Sequence, residues 1–258
     1  MTRSAARPSK NLNKHRSTSQ IEVDPTHETG QVDVRIEGGE PTYNVHEPAA
    51  WDFMELSDAW VQLAERADAL CFGTLAQRCR ESRQTIQTLV AQTRSNCLRV
   101  LDVNMRAPFY SGEILQESLE LATVLKLNLD ELPEVMNLLG LTIEEIGDRE
   151  LRRYGAQRLL DEFPMLELVA VTRGGNGSLL VTREDWDDHP GYAVKVADTI
   201  GTGDAFTAAL VHYKLQGADL ATLNRAGNRW GSWVATQSGA MPELPEALQN
   251  ELLLEAVR

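Results

Sequence analysis

The stretch DTIGTGDAF, Asp198 to Phe206, sets two glycines around a threonine, follows them with a carboxylate, and runs on into AFTAALVHYKL. The small and apolar residues from Ala205 onward read as a closely packed, buried helix, so the glycines stand at its N-terminus. The first backbone N–H groups of a helix lack intrahelical partners and carry the positive end of its dipole. Glycine lets such a backbone approach a ligand closely, which makes a cradle for an anion. Asp204 adds a negative charge at the same place. One account is a plain N-terminal cap. The other is a general base that takes a proton from a hydroxyl attacking a phosphate held in the cradle.

Outward from that stretch the chain alternates strand and helix patterns. Short apolar runs closed by a polar residue or glycine stand at 67–73, 98–104, 123–128 and 166–174. Helical patterns lie at 82–93, 111–122 and 148–163. The alternation predicts an α/β fold with a mostly parallel sheet and helices on its faces. Segments 31–37 and 41–47, around Gly38-Gly39, read as a hairpin. In such folds ligands bind beyond the carboxyl ends of the strands. The residues there are Asn104 and Arg106, Asn128 and Glu131, and Thr172 to Gly177.

Composition bounds the function. The chain has 258 residues, 42% hydrophobic, enough for one sizeable core. There are 38 acidic against 25 basic residues, a net charge of −13, which argues against a nucleic-acid or membrane footprint. No apolar run approaches the roughly 18 residues of a membrane helix. Cys71, Cys79 and Cys97 have no CxxC spacing and read as reduced thiols, consistent with a cytoplasmic protein. Residues 1–20 hold five basic and no acidic residues and read as a disordered tail, with a transit peptide as the other account. His46 has no second histidine at a ligand spacing.

Taken in order, the motifs resemble the ribokinase-like sugar kinases, the PfkB carbohydrate kinase family. DTIGTGDAF is similar to the family's D-T-x-G-A-G-D-x-F, with Thr202 where a small residue is usual. NLDE matches N-x-x-E through Asn128 and Glu131, and TRGGNG matches T-x-G-x-x-G through Thr172, Gly174 and Gly177. DVNMR matches D-x-N-x-R through Asp102, Asn104 and Arg106, and NRWGSWVATQSGAMPELP resembles the adenine-side helix and loop, with Asn228 in the nucleotide-contacting place. The resemblance runs from about Ile21 to about Pro245 and is nearest the fructokinase-like branch.

It implies a three-layer αβα fold and an ATP-dependent sugar kinase. Asp204 would be the base, and Gly201, Thr202 and Gly203 the anion hole. Asn128, Thr172, Gly174, Gly177 and Asn228 would hold nucleotide, and Asn104 and Arg106 substrate or phosphate. Glu131 would reach Mg²⁺ through water. Asp198, the backbone of Ile200 and the loop from Ala235 to Ala240 would stand beside K⁺. Each motif also has a bland account: N-x-x-E is a capping pattern, TRGGNGS a hairpin loop, Asn104 and Arg106 strand-end residues. Relatives carry a first segment with a Gly-Gly sugar motif that residues 1–20 do not resemble. The expectation is therefore a kinase domain over 21–258 lacking that segment, with its β-lid partly or wholly missing. The alternative is a catalytically weak nucleotide-binding remnant. A homodimer is implied where the lid is intact.

Overall fold

The computed structural model describes residues 20–37, 40–141 and 148–245. The basic tail expected over 1–20 lies outside them except for Gln20, as do Gly38-Gly39 and the end of the kinase domain beyond 245. Strands β1 (Val32–Glu37) and β2 (Glu40–Val45) pair antiparallel, Val32 opposite Val45, and form the expected hairpin as a separate two-stranded sheet. Helix α1 (Asp58–Ala64) follows, then β3 (Ala69–Gly73), α2 (Arg80–Ala91), β4 (Leu98–Asp102), α3 (Gly112–Leu121) and β5 (Val124–Asn128). Helices α4 (Glu131–Leu138) and α5 (Asp148–Glu162) lead to β6 (Leu168–Thr172). A tight turn at 174–176 returns the chain as β7 (Ser178–Val181) and β8 (Trp186–His189), and α6 (Thr202–Leu215) and α7 (Leu220–Ala235) close it.

Among the described residues, the main sheet has six strands in the order β3-β4-β5-β6-β7-β8. Pairings from β3 to β6 are parallel, and β6-β7 and β7-β8 are antiparallel. The glycine stretch after Thr172 is thus a hairpin loop, as one of its two accounts required.

Side chains alternate across a strand with period two, and the two faces take different helices. Leu125 and Leu127 of β5 pack with Leu115, Leu119, Val135 and Leu159 from α3, α4 and α5. Val124 faces the other way, with Val100 of β4, Leu168 of β6, and Phe206, Leu210 and Leu223 from α6 and α7. The result is helix, sheet, helix in three layers. Each fully buried side chain of this kind contributes about 1.5–3 kcal/mol, and both faces of β5 and β6 are lined with them.

Helix starts differ in a way that bears on the site. Ser57, Ser111 and Asp219 cap α1, α3 and α7, their side chains accepting from the N–H of Trp60, Ile114 and Thr222. The residue before α6 is Gly201, which offers no side chain to cap with.

Candidate active site

The carboxyl ends of β4, β5 and β6 are neighbours in the sheet, so the residues that close them share one edge. Beyond β4, Asn104 is exposed and holds φ 41°, a left-handed conformation that asparagine tolerates better than most residues. Arg106 is partly buried and donates from Nη1 to the Met105 carbonyl at 2.9 Å.

At the end of β5, Asn128 Oδ1 accepts from the N–H groups of Asp130 and Glu131, both at 2.9 Å. The capping account of N-x-x-E therefore holds locally. Glu131 turns back, and its Oε1 takes the N–H of Met105 at 2.7 Å while Oε2 takes that of Asn128 at 2.8 Å. Only 8% exposed, this carboxylate fastens the loop after β4 to the end of β5. At the end of β6, Thr172 Oγ1 donates to the Leu127 carbonyl, and its own carbonyl accepts the N–H of Leu129 at 2.8 Å. Gly174 and Gly177 bracket the turn that follows, at φ 56° and 82°.

Helix α6 starts above this edge. Gly201 holds φ 82°, and a Cβ there would lie 2.4 Å from the carbonyl of Ala240. Glycine is needed for both reasons: the left-handed backbone, and the close approach of the 235–240 loop. Asp198 ties the same two loops, its Oδ1 accepting the N–H of Ile200 at 3.0 Å and its Oδ2 that of Gly239 at 3.2 Å. Thr202 spends its hydroxyl locally, donating to the Thr199 carbonyl at 2.9 Å, so its size is accommodated within the turn. Asp204 is exposed on the first turn of α6. The N–H of Ala205 closes the first turn on the carbonyl of Gly201 at 2.9 Å, so the amides of Gly203 and Asp204 lie at the free end of the helix, while that of Thr202 reaches back to the Thr199 carbonyl at 3.3 Å.

Two side chains beneath α6 escaped the sequence reading. In sequence Lys126 is one residue of an apolar strand, and Asp102 one letter of a motif. They face each other across the β4-β5 ladder, with Nζ 3.0 Å from both carboxylate oxygens. Burial pushes the Asp102 carboxyl above its ordinary 3.8; Lys126 opposes that, and the charges of Glu131 and Asp204 add to it.

Along α7 lies a cavity of about 620 Å³ lined by Tyr192, Val194, Arg229, Trp230, Trp233 and Thr236, among others. Its wall adjoins the cradle: the N–H groups of Ala197 and Asp198 both point to the Ala235 carbonyl, one residue before Thr236. Trp230 and Trp233 meet edge to face, with ring centroids 5.9 Å apart. Their spacing of three residues on one helix face was the signal available in the sequence. Asn228 takes a different position from its neighbours on the cavity wall. It is 6% exposed, and its Nδ2 donates to Ser178 Oγ at 2.7 Å and to the Asn224 carbonyl at 2.8 Å. Its amide nitrogen is thus engaged inside the protein, joining α7 to β7.

Among the described residues, no group of three or more His, Cys, Asp or Glu is placed to hold a metal ion. Among them, too, no helix is long and apolar enough to cross a membrane.

Comparison with known proteins covers most of the chain. A family model described as pfkB family carbohydrate kinase matches residues 10–247, starting earlier than the motifs themselves. An uncharacterized sugar kinase of Pyrococcus horikoshii is 29% identical over 231 residues, which span 86% of this chain and 68% of that one. Its crystal structure superimposes with a TM-score of 0.76, covering 96% of this chain and 78% of that chain, and a second structure of it contains ATP. Fructokinase from Vibrio cholerae, solved with fructose, ADP and calcium, has a TM-score of 0.70 at 26% identity, covering 94% and 79%. Aminoimidazole riboside kinase from Salmonella enterica, solved with its riboside and an ATP analog, has 0.67 at 25% identity, covering 90% and 75%.

Proposed function

The chain belongs to the pfkB family of carbohydrate kinases, and from that premise we propose that it moves the γ-phosphoryl group of ATP to a hydroxyl of a fructose-like sugar, with Asp204 as general base. The observation that carries this is the start of α6. It is the helix whose N-terminus has glycine in place of a capping side chain, and it carries an exposed carboxylate on its first turn.

In this reading the amides of Gly201, Thr202 and Gly203 receive the charge that develops on the transferred group. Asp204 takes the proton of the acceptor hydroxyl as its oxygen bonds to phosphorus and the bond to the ADP oxygen breaks. Phosphoryl transfer depends mainly on such positioning and charge stabilisation. One donor of such a cradle contributes about 10²–10³-fold. The aromatic cavity along α7 suits the base of the nucleotide, with the turn at 174–177 toward the phosphates. Asn104 and Arg106, on the loop after β4, would meet the acceptor and the transferred group. Asn128, Thr172 and Asn228 would shape the nucleotide side from within the protein.

The residues fit a Mg²⁺ ion that arrives on the phosphates and keeps its waters. Glu131 would face it through water, since each of its oxygens already accepts one backbone N–H. When bound, the ion offsets phosphate charge. Asp198 and the carbonyl side of the Ile200 and 235–240 loops would adjoin a monovalent cation, and K⁺ is expected to raise the rate over Na⁺. Identical rates in the two salts at equal ionic strength would remove that cation from the scheme.

The decisive variant is Asp204→Asn, which keeps the size and cannot take the proton. Turnover is expected to fall by about 10²–10⁴-fold, with ATP-analogue affinity by calorimetry little changed. Turnover within a few-fold of the unmodified chain overturns the assignment of the base. ADP release over a panel containing fructose and ribosides then identifies the acceptor. A riboside preferred to fructose would move the chain toward the Salmonella kinase's chemistry.

A further inference from the structure

We propose that Lys126, held by Asp102, is a positioning residue that forms the charged floor of the anion cradle and presents a fixed positive charge beneath Gly203. The proposal rests on the kinase reading and deepens it at the same site.

Strand β5 places Lys126 where its pattern predicts a core residue. Val124, two positions earlier on the same face, is fully buried in the layer under α6, and Lys126 is itself only 8% exposed. Taking an ammonium group out of water is costly unless it is paired. Asp102 supplies that pairing from the neighbouring strand, with both oxygens 3.0 Å from Nζ. A pair of apolar side chains of the same volume would stabilise this position as well or better. The pair is therefore weakly explained by stability, and its orientation gives a better account.

Nζ lies 3.1 Å from where a Cβ on Gly203 would stand. One turn further along the helix, Thr207 Oγ1 donates to Asp102 Oδ2 at 3.3 Å. The positive end of the pair thus sits under the first residues of α6, and the negative end sits further along the axis. That is the sense of the helix dipole itself, so the two fields add at the cradle. The arrangement also explains glycine at 203, since any side chain there would press on the ammonium. Asp102 holds that group with two contacts and keeps it from swinging out to Asp204. A phosphoryl group entering the cradle would then meet a charge that needs no reorganisation, the condition under which such groups lower a barrier most.

The test compares Lys126→Met, Asp102→Asn and the double variant K126M/D102N with Asp204→Asn. The double variant leaves no lone buried charge and is the one expected to fold as the unmodified chain does. It and Lys126→Met should lose about 10²-fold in kcat, with the KM for the acceptor sugar unmoved. A purely structural pair predicts another outcome: the loop after Asp102, with Asn104 and Arg106, would loosen and KM would rise together with the fall in kcat. That result overturns the proposal. So does a folded double variant with kcat within about threefold of the unmodified chain, or a double variant that does not fold. Retained turnover in Asp204→Asn would sink the kinase reading itself. An inactive Asp204→Asn beside an active K126M/D102N would sink only the charged floor.

Discussion

The Asp52–Arg78 and Asp102–Lys126 pairs are both buried, and they sit in opposite surroundings. Arg78 grips Asp52 with two bonds of 2.7 Å, Nε to Oδ1 and Nη2 to Oδ2. The N–H of Ala49 adds 2.9 Å to the same carboxylate, and Arg78 Nη2 also reaches the His46 carbonyl at 3.0 Å. The guanidinium lies over Phe109, 4.5 Å from the ring centroid, and the side chains of Asp52 and Arg78 are 2% and 5% exposed. This is a closed joint, and it fastens the segment after the hairpin to the body of the fold. The Asp102–Lys126 pair is a single point charge held from one side, at the mouth of a helix, with the Asp102 side chain 18% and the Lys126 side chain 10% exposed. Arginine's planar fork suits the first task and lysine's compact ammonium the second. The difference separates a charge pair that closes a structure from one that leaves a field pointing outward.

The largest effect that would test this contrast is in stability. Arg78→Ala leaves the Asp52 carboxylate buried without its cation, and is expected to cost about 3–5 kcal/mol in denaturant unfolding. The neutral pair K126M/D102N should cost little by the same measurement. Equal losses would erase the distinction between joint and floor.

A smaller effect is expected from pH, because the two aspartates are shifted in opposite directions. For Asp52, burial acts to raise the carboxyl, but the bonds from Arg78 and Ala49 outweigh it, and the group sits below its ordinary 3.8. Its contribution is complete above that value and is lost as pH falls through the lowered one. For Asp102, burial dominates and the group sits above 3.8. Its contribution is complete below that value and is lost as pH rises through the raised one. Unfolding of Asp52→Asn and Asp102→Asn from pH 3 to 7 should therefore give stability differences from the unmodified chain with opposite slopes. Slopes of the same sign would mean that the two carboxylates share one environment.

The smallest effect belongs to Arg94–Asp68, a pair at 2.7 Å whose side chains are 47% and 75% exposed. Asp68→Asn should change stability by no more than about 1 kcal/mol, and less in high salt. A larger loss would show that exposure does not sort these pairs.

The features readable from sequence are those set within a few residues of chain. Asp198–Phe206 reads as glycines opening a helix because left-handed backbone and free amides are local properties, and Gly201 at φ 82° before α6 bears that out. The strands at β3 to β6, the hairpin around Gly38-Gly39 and the turn after Thr172 follow from period two and from turn residues. Even the capping of α4 by Asn128 lies within three residues. The motif order, read as a resemblance, carried the family. The tertiary structure alone decided that Lys126 meets Asp102, that Arg78 meets Asp52, and that Asn228 turns inward to Ser178 while Trp230 and Trp233 line a cavity. In sequence TVLKLN is an apolar strand with one lysine, and no spacing announces its partner 24 positions earlier. Local conformation is governed by sterics and hydrogen bonds among neighbours in the chain. The environment of a charge is governed by strand register and by which helix packs on which face, and those are settled only when the whole core closes.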